Sequence, residues 1–183
     1  MDIKEANEAL VNGAFQGNAD KVAEALENGA DVNFHDRHGD TALHGASCCR
    51  PFLEICKILI EHGADIDARE SNGMTALHLA ARDGNVEIGR YLLEQGAKVD
   101  AVDITDKTPL FTALEEGNYD FCKLLLKYGA DPNYECKHEE LTSLELAELY
   151  AKGEEYPQDD YAEPKDREQY AEMAKFMKSI SKN

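Results

Sequence analysis

Four segments of the chain close on Gly-Ala-Asp or a near copy: Gly29-Ala30-Asp31, Gly63-Ala64-Asp65, Gly96-Ala97-Lys98 and Gly129-Ala130-Asp131. A second marker keeps step with the first. It reads Thr41-Ala42-Leu43-His44, Thr75-Ala76-Leu77-His78, Thr108-Pro109-Leu110-Phe111 and a faded Thr142-Ser143-Leu144-Glu145. Two markers in one register define an internal repeat of about 33 residues, the mark of a stacked array. Such an array offers a long surface rather than one catalytic cleft.

The third unit, 70–102, shows what one repeat dictates locally. Asn72-Gly73 is a turn dipeptide in which glycine supplies a positive φ. Thr75 is placed to cap a helix whose body, Ala76 to Ala81, is rich in alanine and therefore thin. Gly84-Asn85 ends that helix. A second helix begins near Val86 and sets Ile88, Leu92 and Leu93 on one face. Gly96 closes it in a left-handed conformation, and 97–102 runs extended into the next turn. Neither helix can bury its apolar face alone, so the next unit must stack on it.

These residues resemble the ankyrin repeat. The family pattern runs Asp-x-x-Gly-x-Thr-Pro-Leu-His-x-Ala-Ala, then Gly-x-x-x-x-Val-x-x-Leu-Leu, then Gly-Ala-Asp-x-Asn, and the best copies here span 36–67 and 70–100. The resemblance implies an all-α ankyrin-repeat solenoid of helix-turn-helix units joined by hairpin loops.

About five units fill a single domain over 1–183, at approximately 3–35, 36–69, 70–102, 103–135 and 136–180. The first lacks the Thr-led marker and carries polar residues on its leading helix, as a water-facing cap requires. The second has Ser47-Cys48-Cys49-Arg50-Pro51-Phe52 between its helices, one residue longer than the usual turn. The fourth has Asp106 at the turn-glycine position and Phe111 in place of histidine. The fifth is a degenerate cap whose first helix covers 143–152. An acidic insertion at 153–164, with two prolines, reads as a loop. A last helix from about 165 to 179 puts Tyr170, Met173, Ala174 and Met177 on one face.

Composition narrows the partners. The formal charge is −18, from 37 acidic and 19 basic residues. That field repels phosphate and anionic lipid, so neither nucleic acid nor a membrane surface is expected, and a basic protein would be steered inward. It also favours a soluble monomer. No secretory h-region and no membrane-length apolar run occurs. The five cysteines, Cys48, Cys49, Cys56, Cys122 and Cys136, match no disulfide framework, so reduced thiols in the cytoplasm are expected.

No phosphate loop, nucleophile elbow or metalloprotease motif is present, which leaves no expected cofactor or metal and argues against an enzyme. The resemblance implies that Thr41 with His44, and Thr75 with His78, are structural pairs tying adjacent loops together. Cys48, Cys49 and Cys56 with His35 and His38 do not have zinc spacing. Cys56 aligns with Val22, Gly89 and Cys122 in a core column.

The resemblance also implies a concave binding face of loop tips and first helices, and hence a protein partner. Its positions here are Arg37, His38 and Asp40 in the second unit, and Arg69, Asn72, Met74 and Arg82 in the third. Val102, Ile104 and Lys107 follow in the fourth, then Leu141 and Tyr150 in the fifth. Met74, Val102 and Ile104 ringed by charge look like a binding hot spot. Two sharper readings are an acidic inhibitor or immunity-type protein that neutralises a basic enzyme or toxin, and a scaffold or adaptor fragment. The acidic insertion with Tyr156, Tyr161 and nearby Tyr170 is a second candidate surface.

Overall fold

The computed structural model describes residues 2–48, 52–153 and 167–180. Within them the helices come in pairs: α1 (Ile3–Gln16) with α2 (Ala19–Glu27), α3 (Ala42–Ser47) with α4 (Leu53–Glu61), and α5 (Ala76–Arg82) with α6 (Val86–Glu94). Then follow α7 (Pro109–Glu115) with α8 (Tyr119–Lys127), and α9 (Ser143–Lys152) with α10 (Arg167–Ile180). Between the last two pairs, β1 (Glu135–Cys136) and β2 (Leu141–Thr142) pair antiparallel. First helices stack on first helices and second on second, giving two layers around one continuous core from Leu10 to Met177.

The Thr marker starts each first helix. Thr41, Thr75, Thr108 and Thr142 all sit in extended backbone immediately before α3, α5, α7 and α9. Even the faded copy works: Glu145 takes the Thr142 N–H at 2.9 Å while the Thr142 hydroxyl accepts the Glu145 N–H at 3.1 Å. These reciprocal bonds satisfy amides that a helix start would otherwise leave orphaned.

Two further hydrogen-bond series join neighbouring units. Asn85 donates to the Ser47 carbonyl at 3.2 Å, and Asn118 donates to the Ala81 and Arg82 carbonyls at 2.9 and 2.8 Å. Each asparagine thus closes the open C-terminal end of the preceding unit's first helix. On the opposite edge, Asn33, Asp67 and Asp100 accept the N–H of Asp65, Lys98 and Asp131 in the following unit. The column expected to be core is core: Val22, Cys56 and Cys122 are each 0% exposed. Burial raises the Cys56 thiol to about 11 and raises Cys122 as well, so neither supplies a thiolate near neutrality.

The C-terminal cap closes with Tyr170, which is fully buried on α10 and so is not part of an exposed tyrosine surface as expected, its ring 5.0 Å from that of Tyr119 and 4.9 Å from that of Tyr150. Gly153 ends α9 in the left-handed conformation. The rest of the acidic insertion, with Tyr156 and Tyr161, lies outside the described residues, as do Cys49, Arg50 and Pro51.

Candidate functional site

The first three hairpins between units share one construction. An N–H to carbonyl bond closes each loop, from Asp36 to Asp40 at 2.9 Å, from Glu70 to Met74 at 3.0 Å and from Asp103 to Lys107 at 3.0 Å. The first residue of each loop turns its carboxylate inward on the tip amides. Asp36 accepts from His38 and Asp40, Glu70 from Asn72 and Met74, and Asp103 from Thr105 and Lys107. These acids build the loops and are not free surface charges. Gly73 adopts φ +73°, and a Cβ there would lie 2.9 Å from the Ile104 nitrogen, so the next hairpin nests against bare backbone. The Ile104 N–H then bonds the Asn72 carbonyl at 2.9 Å, and the Ser71 hydroxyl bonds the His38 carbonyl. The tips are therefore tethered to one another in a row.

His44 and His78 complete this row. The Thr41 N–H donates to His44 Nδ1 at 3.1 Å, so Nδ1 is bare and the proton is on Nε2, which donates to the Ala68 and Met74 carbonyls. His78 repeats the arrangement, with Thr75 at 3.2 Å and the Lys107 carbonyl at 3.1 Å. Burial lowers both imidazoles, His78 to about 4. With both ring nitrogens engaged in loop building, neither histidine is positioned as a general base.

Phe111 cannot make that bond, and the fourth unit joins the fifth by other means. Lys107 Nζ lies 2.8 Å from Glu115 and 2.9 Å from Glu139, 5.5 Å from the centre of the Phe111 ring. Burial alone would lower the Lys107 ammonium, but the two carboxylates reverse that and raise it. Asp106, left-handed at φ +66°, accepts from the Tyr134 hydroxyl at 2.8 Å and the Lys137 N–H at 3.2 Å. Aspartate tolerates that conformation better than most residues.

The residues expected on this face differ in exposure, and two of them are turned inward. Ile104 is 70% exposed at the centre of the row, with Val102 half-buried at the base of the same hairpin and Met74 half-buried at the preceding one. Arg37, His38, Arg69 and Asn72 are exposed. Arg37 donates to His38 Nε2 at 2.9 Å, and Arg82 pairs with Asp83 at 3.0 Å. Asp40 and Leu141 are half-buried, Leu141 opposite Cys136 in the β-ladder. Lys107, expected to meet a partner, is instead a tether whose side chain is only 18% exposed. Tyr150 is also a correction: it is 5% exposed and stacked under Tyr170, because the interrupted unit must still bury its last helix.

One contributor was missed. Phe15, 42% exposed, lies at the end of α1 in register with Arg82 and Glu115, on the same face. Its signal was Gly45, which stands where other units carry Leu79, Thr112 and Leu146. A Cβ on Gly45 would come within 2.7 Å of the Phe15 ring, so the glycine makes the room.

A family model described as ankyrin repeats (3 copies) matches residues 10–103 and 64–136, more than half of the chain. Comparison with curated proteins yields no match. Among the described residues no helix is long and apolar enough to cross a membrane, and no three His, Cys, Asp or Glu side chains converge as a metal site.

Proposed function

The chain belongs to the ankyrin-repeat family, and on that premise we propose that it is a non-catalytic module that holds a protein partner against the concave face of hairpin tips and first helices. Repeats of this family generally serve protein–protein interaction. Ile104 carries the reading here: a 70% exposed isoleucine at a tip whose neighbours are all tied down. A large apolar side chain on a preorganised surface is the make-up of a hot spot, because little ordering entropy remains to be lost on binding. Arg37 and Arg69, exposed at the two preceding hairpins, add basic charge to the same row on a molecule of formal charge −18.

Tagged wild-type protein and an Ile104→Asp variant, both shown to melt cooperatively, would be used to capture partners from cells that express the chain. A partner bound by the wild type and lost by the variant supports this face. A partner retained by both places the site elsewhere. The net charge of −18 favours a second reading, an acidic inhibitor of a basic protein. Capture that falls steeply as salt rises supports it, and salt-insensitive capture rejects it.

A further inference from the structure

At the first-unit end of the same face, α1 and the Phe34–Asp40 segment enclose a groove of about 660 Å³. Phe15, Val11 and Phe34 provide its apolar surface, and Glu8, Asp36 and Asp40 add carboxylates. Phe15 takes its place beside the groove through a packing exchange. Gly45 withholds the side chain that this helix position carries in the other units, and the Phe15 ring crosses from α1 into the vacated space, with one side still open. A ring so placed is a platform rather than a core residue.

The carboxylates differ in how they are employed. Asp36 is spent on the His38 and Asp40 amides. The side-chain carboxylates of Glu8 and Asp40 make no hydrogen bond or ion pair with any described residue. Asp40 is half-buried, and burial together with Asp36 and Glu70 raises its pKa against the smaller opposing influence of His38 and Arg82. A partly desolvated carboxylate among like charges is a place where a cation would be stabilised. Arg37, the arginine of the groove, forms an ion pair with neither of these carboxylates and instead donates from Nε to His38 Nε2 at 2.9 Å.

We propose that this groove receives a cationic side chain of the protein partner, arginine in particular, with its guanidinium over Phe15 and its donors toward Asp40 and Glu8. Arginine suits both halves, since its plane stacks on aromatic faces and its fork of donors matches carboxylates. The volume exceeds what one side chain needs and has room for its neighbours in a peptide. The proposal rests on the concave-face reading but not on Ile104.

The test is a titration of isotope-labelled protein with N-acetyl-arginine methylamide and, separately, its uncharged counterpart N-acetyl-norleucine methylamide, followed through backbone amide shifts. Saturable shifts at Phe15, Phe34 and Asp40 are expected, with about tenfold tighter binding of the arginine probe. Asp40→Asn is expected to remove most of that preference. Glu8→Gln, on an exposed stretch of α1, is the second variant should Asp40→Asn fail to fold. Ile104→Asp is expected to bind both probes as the wild type does, which separates this site from the hot spot. Equal binding of the two probes, shifts confined to other residues, or a preference that survives both carboxylate variants would overturn the proposal.

Discussion

Tyr170 donates its hydroxyl proton to the carbonyl of Leu114 at 2.7 Å, across 56 positions of the chain. That bond, with the rings of Tyr119 and Tyr150 around it, anchors α10 to the end of α7. The last turn of a helix has carbonyls without helical partners, so α10 caps α7 as well as covering the core. Tyr170→Phe keeps the ring stack and loses the bond, and should cost about 1 kcal/mol in urea unfolding. Tyr170→Ala also opens a cavity and should cost about 3–5 kcal/mol.

His78 makes stability pH-dependent. Its folded pKa, about 4, lies below the ordinary value of 6.5. Above 6.5 the imidazole is neutral in folded and unfolded chains, and its stabilisation is complete. As pH falls from 6.5 to about 4 the unfolded chain takes up the proton and the folded one does not, so roughly 3 kcal/mol is lost over that window and no more below it. His44, lowered for the same reason, adds loss that starts at the same upper limit. Urea midpoints measured across that range should fall with pH, and His78→Gln should flatten the slope. Asp106 and Glu145 have depressed pKa values, so their contribution is complete above the ordinary values of 3.8 and 4.5 and is lost as pH falls through and below them, Glu145 beginning within the lower end of the histidine window.

Lys107→Met should destabilise the protein by about 3 kcal/mol, because it strands Glu139, whose side chain is 4% exposed, without its cation. Adding Glu139→Gln should recover part of the loss. Urea unfolding at neutral pH checks both. If Lys107 is a tether and not a contact, partner capture by folded Lys107→Met will match the wild type.

Ser143→Ala should stabilise the protein by about 1 kcal/mol, read as a raised Tm. The Ser143 hydroxyl is buried and has no hydrogen-bond partner among the described residues, at a position that Ala42, Ala76 and Pro109 fill in other units. An unchanged or lowered Tm would show that the hydroxyl finds a partner.

Most of the exposed hairpin-tip positions were legible, and the two side chains that turn inward have one cause. Ile104 and Arg69 follow from register alone, because a hairpin tip points outward wherever the loop is regular. Lys107 occupies such a tip yet folds inward, because the next unit sets Glu139 within reach and Phe111 leaves the usual histidine bond unmade. Tyr150 sits at a helix end that would be open in a regular unit. It is covered because α10 returns over it.

The sequence by itself determined the local structure. Thr caps, turn glycines and helical spacing act within about four residues, and they set where α3 through α9 begin and which residues take positive φ. Only the tertiary structure decided which charges are free, that Phe15 lies in the space left by Gly45, and that Tyr170 reaches Leu114. Those outcomes depend on side chains some 30 or more positions apart meeting in one place, and no local propensity encodes such a meeting.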